Sequence, residues 1–406
     1  ATAATLGLGL TVLYLRGSPA PSGGLLLPVA GVSVVILLLL GRYSRVGPLP
    51  PAERAVRPLW ELLLLIAALA LFIVGRHGRL RRVAAVSALL GALLVTITMT
   101  VTEWNSDIGF DVYQAHRSAG AALLSGDNPY GPAVQISDGS PFAPPGSTIE
   151  GYTYPPLVLV TYGAVATLAD PRVVSLVSWL AVVGWLGWRA ASRRRRSDVA
   201  LALSVLLAAA PVWPVVWYAA WTEPLSIGLF AAAAVLWRRR PGWAAVALGL
   251  AVASKQYFVL LAPLLLLHPE IRRPKRAAAV FGVAALTFLP FLLIDPGLLW
   301  TATVGNIAGI GFRPDTQSLS GLLATVGIDF VLPRWAWLTA SLAVAIALTV
   351  GARGRWDFMV RAALILGFAF LAGLAFPNYW FLVAALASFG VVLHDDAPRH
   401  PSAAPA

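Results

Sequence analysis

Long apolar runs recur along this chain, separated by short basic or acidic interruptions. Gly24–Leu40, Leu59–Val74, Val83–Val101, Phe281–Ile294 and Val360–Ala375 are almost free of charge, and a helix of roughly 20 apolar residues crosses a bilayer core. Within lipid, only helices and closed barrels satisfy the backbone, and these runs lack the period-2 alternation of barrel strands. The pattern predicts an all-α polytopic membrane protein. Composition agrees: 58% of the 406 residues are hydrophobic, 12% are charged, and the mean hydropathy is +0.77. A soluble protein carries about 25% charged residues.

The interruptions differ in sign. "RRRR" at Arg193–Arg196, "RRR" at Arg238–Arg240, "IRRPKR" at Ile271–Arg276 and "GARGR" at Gly351–Arg355 are predicted to be cytoplasmic, because cytoplasmic loops carry an excess of Lys and Arg. Glu103–Gly151 holds six acidic residues against one arginine and belongs on the opposite face, with the loop Asp295–Leu332. If Pro155–Leu168 and Val173–Trp188 both spanned, "RRRR" would fall outside. A "YPPL" helix over Tyr154–Leu168 that only dips into the outer leaflet keeps the orientation. Ala115–Leu124 reads as a second outer-face helix, stopped by "SGDNPYGP", and "SDGSPFAPPGSTIEG" reads as a loop. Basic clusters at both Arg42–Arg57 and Arg76–Arg82 leave the topology before residue 75 open.

Charge and cysteine content remove several function classes. The net charge of +12 comes from clusters between apolar runs, so it marks topology rather than a nucleic-acid partner. With no cysteine, disulfides, thiolate metal sites and cysteine nucleophiles are excluded. The five histidines form no HxxxH or HExxH pair, so no metal site is predicted. No P-loop or Rossmann glycine motif is present for a nucleotide-sugar donor.

The remaining polar marks fall on the predicted outer side. They are "WNSDIGFDVYQAHRSAGAALLSGDNPY" (Trp104–Tyr130), "YTYPPL" (Tyr152–Leu157), "WYAAWTEP" with Glu223, "ASKQYF" with Lys255, "GFRPDTQSLSG" with Arg313, and "FPNYW" (Phe376–Trp380). A transporter or flippase would place charges along a path between both faces and often carries inverted repeats. Neither is apparent here.

In this order, the motifs resemble the polyprenol-phosphate-sugar-dependent glycosyltransferases of the GT-C fold, in the bacterial alpha-mannosyltransferase and arabinofuranosyltransferase group. The resemblance covers Val101–Leu393. It implies roughly 11–13 transmembrane helices with outer-face juxtamembrane helices. By this resemblance residues 1–82 are an N-terminal extension, 83–393 the catalytic domain with an outer catalytic loop at 103–172, and 394–406 a cytoplasmic tail. The implied reaction moves a sugar, mannose favoured and arabinofuranose the alternative, with inversion. The donor is a polyprenyl-phosphate sugar and the acceptor a glycolipid or lipid-linked glycan. The implied location is the outer face of a bacterial plasma membrane, among membrane lipids and with no nucleic acid. No cofactor is implied, and a divalent cation is left open. Two departures stand out: Gly109 occupies a position where relatives carry Asp, and "FPNYW" lacks the histidines of the late family element.

Such a transfer needs a base for the acceptor hydroxyl, cations for the departing phosphate and a greasy groove for the polyprenyl tail. Asp107 is the first candidate base and Asp111 the second, since partial desolvation at a membrane edge raises a carboxyl toward the useful range. Each Asp could equally cap a helix or sit on a loop surface. Lys255 and Arg313 are the phosphate candidates; the competing readings are a snorkelling lysine and an ordinary loop arginine. His116, Tyr113, Tyr154 and Glu223 are candidate substrate-binding residues. Against them stand a solvated surface histidine, interfacial tyrosine anchors and a helix-capping glutamate.

Overall fold

The structure is a computed structural model that describes residues 90–395, except 91–92, 95, 99, 102–103, 105–109, 138–147, 193–212, 310–312, 314–315 and 353. The predicted N-terminal extension, Asp107, Gly109, the "RRRR" cluster and residues 396–406 of the tail lie outside the described residues, while 394–395 end the last helix.

Helices dominate. The first, α1 (Asp111–Ser125), begins four residues before the predicted start, at an extended Phe110, and ends at Gly126 in the left-handed region. The Gly126 and Asp127 amides donate to Leu123 and Ala122 carbonyls, closing the last turn. The predicted loop after it carries a short ribbon within this otherwise helical fold. Its ends pair antiparallel as β1 (Gln135–Ser137) and β2 (Thr148–Glu150), with Ile136 opposite Ile149. The ribbon delivers the chain to Gly151, whose φ is +80° and whose missing Cβ would meet the Tyr130 carbonyl at 2.5 Å. Only glycine fits both demands.

The "YPPL" helix, α2 (Pro156–Ala166), starts with Pro156 in its first turn and contains a π turn at Leu159–Gly163. At 1.5 Å per residue it is about 16 Å long, half of the roughly 30 Å hydrocarbon core. It cannot span, as its predicted shallow insertion requires. The bundle continues with α3 (Arg172–Ser192), α4 (Trp213–Tyr218), α5 (Glu223–Leu236), α6 (Pro241–Val252) and α7 (Gln256–Leu267), whose first half is a 3₁₀ turn. It then runs through α8 (Pro274–Ile294), α9 (296–309) and α10 (Leu319–Thr325). It closes with α11 (Arg334–Thr349), α12 (Gly354–Ala372) and α13 (Pro377–Asp395).

Among the described residues, α8 is the helix long and apolar enough to cross a membrane by length and composition. Only Val280 of its 21 residues is buried, while Leu286, Leu293 and Ile294 stand open. A helix apolar all round with one face covered suits an apolar surround on the rest. The face that is covered is tight. A Cβ on Gly249 of α6 would collide with the Val280 carbonyl oxygen, so the two helices touch backbone to backbone. Gly249→Val is expected to lower the thermal unfolding midpoint in detergent by the equivalent of about 1–3 kcal/mol, whereas Gly242→Val, with open space around it, should cost far less.

The two ends of the bundle differ in character. At one end Arg355 Nη1 donates to the Ala234 carbonyl (3.3 Å), Trp237 Nε1 to Glu270 Oε2 (2.6 Å) and Arg276 Nη1 to the Glu270 carbonyl (3.0 Å). His268 Nε2 reaches the Gly354 carbonyl (3.2 Å). The basic clusters at 238–240, 271–276 and 351–355 therefore share one end. At the other, Gln256 Nε2 donates to the carbonyls of Thr153 (2.5 Å) and Thr303 (3.0 Å). There too Asn306 Nδ2 donates to Glu150 O (2.8 Å), and the Gln317 amide to Ala375 O (2.8 Å). These bonds tie the acidic segment, the lysine turn and the late loop into one unit.

Candidate active site

Two helix junctions supply the charged centre of this second end. After Trp221 the chain turns into α5 with Glu223 in its first turn. After α6 it breaks at Ser254–Lys255, where Lys255 is extended before the 3₁₀ turn. Ser226 and Ser254 hydroxyls, 2.7 Å apart, hold the two junctions together. Lys255 Nζ then lies 2.8 Å from Glu223 Oε1, with side chains 6% and 0% exposed. The lysine does not snorkel to solvent; it is buried and paired, as an intramembrane-edge ammonium must be. Its ammonium faces the ring of Tyr154 at 4.8 Å and those of Tyr257 and Tyr379 at 5.8 Å, a cation–π setting. Tyr257 donates its hydroxyl proton to the same Glu223 Oε1 at 3.2 Å.

Asp111 and Arg313 join this centre electrostatically. The Tyr379 hydroxyl feels the charges of Glu223, Arg313 and Asp111, and Tyr154 feels Asp111 and Glu223. Burial first, then those two negative charges, push the Tyr154 hydroxyl well above its ordinary range. It stays protonated and can donate a hydrogen bond. Arg313 lies over the Phe376 ring at 4.8 Å. Thus Asp111, Tyr154, Glu223, Lys255 and Arg313, predicted from five separate motifs, converge. Among the described residues no three His, Asp or Glu side chains gather as a metal centre would need.

Tyr113 and His116 take other places. Tyr113 is buried against the Arg172 guanidinium, 5.0 Å from its ring centroid. Arg172 is itself buried, paired with Asp170 at 2.5 Å and flanked by the ring of Trp217 at 4.9 Å. This pair carries no sequence signal beyond its position at the start of α3. His116 corrects the solvated-surface reading outright, because it is 0% exposed. Its Nε2 is 3.1 Å from the Ala220 carbonyl, which can only accept, so Nε2 carries the proton. Nδ1 then accepts from the Tyr152 hydroxyl at 2.8 Å. Its ring stacks on Tyr162 with centroids 4.5 Å apart. Ala220, at φ +55°, is held in the left-handed region three residues before Glu223. With both ring nitrogens used, His116 ties α1 to Tyr152 and to the turn that presents Glu223.

Burial, above all other influences, lowers His116 to about pH 3, with Lys255 adding to the effect and the Ala220 bond opposing it. In an unfolded chain it titrates near 6.5. Between those values the unfolded chain binds a proton that the folded one refuses, so stability present above pH 6.5 is lost as pH falls. The expected slope is about 1.4 kcal/mol per pH unit. Thermal unfolding in detergent from pH 7 to pH 4 checks it, and His116→Gln should flatten the dependence.

Comparison with known proteins bears on this geometry. No solved structure matches the chain. A polyprenol-phosphate-mannose-dependent alpha-(1-2)-phosphatidylinositol mannoside mannosyltransferase of Mycolicibacterium smegmatis is 30% identical over 271 residues, 61% of this chain. The aligned region spans 58% of that curated relative's length. The model of glycosyltransferase family 87 matches residues 152–394, which run from Tyr152 in the site through α13. The chain belongs to glycosyltransferase family 87.

Proposed function

We propose that this protein is an inverting glycosyltransferase that moves a sugar, mannose favoured, from a polyprenyl-phosphate donor to a glycolipid or lipid-linked glycan acceptor. The supporting observation is the convergence of a carboxylate, Asp111, and two cations, Lys255 and Arg313, at the bundle end remote from the basic clusters. By the positive-inside rule that end faces outward across a bacterial plasma membrane. The relative's name, with its polyprenol-phosphate-mannose dependence, supports the donor class.

In this mechanism Asp111, or Asp107 four residues earlier, takes the proton of an acceptor hydroxyl. The acceptor oxygen bonds to the anomeric carbon from the face opposite the phosphate. The bond from that carbon to the phosphate oxygen breaks, and polyprenyl phosphate departs with the electron pair. Lys255 has three N–H donors, and Glu223 takes one; it and Arg313 stabilise the phosphate charge, which is worth more in a water-poor site than in bulk. Tyr154 lines the site as a protonated donor. The leaving phosphate is already on the lipid, so a metal is not obligatory and transfer is expected to persist in a chelator.

The test is transfer by purified protein from polyprenyl-phosphate-mannose to a mannosylated lipid acceptor, run beside the arabinofuranose donor. Mannose transfer that persists in chelator supports the reading, arabinofuranose transfer alone moves it to the alternative donor, and silence with both donors overturns it.

A further inference from the structure

Glu223 is more fully committed than a counter-ion requires. Its Oε1 accepts from both Lys255 and Tyr257. Its Oε2 is buried and has no hydrogen-bond partner. The neighbouring Thr222 Oγ1 and, beside Tyr379, Asn378 Oδ1 are likewise buried and without partners. Buried polar atoms are paired almost without exception in folded proteins, and a carboxylate oxygen is the most demanding acceptor of all. A buried carboxylate oxygen without a partner in this ion pair, with the aromatic faces of Tyr154, Tyr257 and Tyr379 about the lysine, describes a place built for a ligand that brings a hydroxyl donor.

We propose that Glu223 Oε2 accepts a hydrogen bond from one specific hydroxyl of a bound sugar ring, with Lys255 and Tyr257 locking the carboxylate's other oxygen so that Oε2 points at that hydroxyl. The inference rests on the glycosyl-transfer reading and deepens it, because it names a specificity-determining contact. The hydroxyl belongs either to the sugar being transferred or to the acceptor sugar; the chemistry recognised is the same. The arrangement follows the rule that a site built to hydrogen-bond a hydroxyl rejects an analogue lacking it, since the protein acceptor is then left unpaired. A mere counter-ion to Lys255 would not discriminate among hydroxyls.

The experiment uses donors and acceptors each lacking a single sugar hydroxyl. With the wild-type enzyme, one deoxygenated position is expected to lower kcat/KM roughly 10- to 100-fold. Glu223→Gln, a variant of the same shape, is expected to lose a similar factor with the intact substrates. It should then treat that one deoxy substrate within about 2-fold of the intact one. Coupling on a donor position assigns the contact to the transferred sugar, and coupling on an acceptor position to the acceptor. If the Gln variant does not purify folded, Glu223→Asp keeps the charge beside Lys255 but withdraws the carboxylate by a methylene, and the same collapse is expected. Equal deoxy penalties in wild type and variant, or no penalty at any position, overturn the contact while leaving the transferase reading intact. Absence of transfer by wild type overturns that reading, and this inference with it.

Discussion

Asp107→Asn combined with Asp111→Asn is expected to lower the rate of sugar transfer roughly 100- to 10,000-fold, the range for loss of a positioned general base. An amide matches the carboxylate in shape and leaves the fold alone, so KM for either substrate should change far less than kcat. The single variants divide the role. Asp111 opens α1, its Oδ1 accepts from the Val112 amide at 2.8 Å, and its charge reaches the Tyr154 and Tyr379 hydroxyls. It therefore stands on the same ground as Glu223 and Arg313, and Asp111→Asn alone should carry most of the loss. A double variant that transfers at the wild-type rate removes both aspartates from the chemistry, whatever the enzyme class.

The second large effect is on stability. Lys255→Met leaves the Glu223 carboxylate buried at 0% exposure with no cation. Stripping one partner from a buried pair costs about 3–5 kcal/mol, because the remaining charge has no water to return to. The thermal midpoint in detergent should fall steeply. Lys255→Met with Glu223→Leu should recover most of that stability, since two apolar side chains replace the pair without an orphaned charge. Activity should not return in the double variant, because it lacks both the cation offered to the phosphate and the carboxylate offered to the sugar. Recovery of transfer together with stability would reduce the pair to a structural device.

How much of this was legible in the chain varies with the kind of signal. The grouping of the basic clusters was legible in the arginines: charge is excluded from lipid at high cost, so such clusters gather at helix ends. Contacts between Arg355 and Ala234, and between Trp237 and Glu270, put those clusters together as counted. The shortness of the "YPPL" helix was legible too, because length alone decides whether a helix spans. The ribbon of β1 and β2 was not. Three residues on each side of a Pro- and Gly-rich segment give no usable period, and their pairing depends on the left-handed turn at Gly151.

The sequence by itself marked the polar residues that stand apart from the basic clusters, since a lysine or carboxylate beside apolar helices has few stable roles. Only the tertiary structure decided how those residues are used. It put Lys255 against Glu223 across 32 residues of chain, and took Tyr113 to Arg172. It also buried His116 between Tyr152 and Ala220. Each of those outcomes is set by partners on other helices, and burial converts the same side chain from a solvated group into a paired one. Spacing along one chain cannot show which partner lies across the bundle, and the partner is what fixes the role.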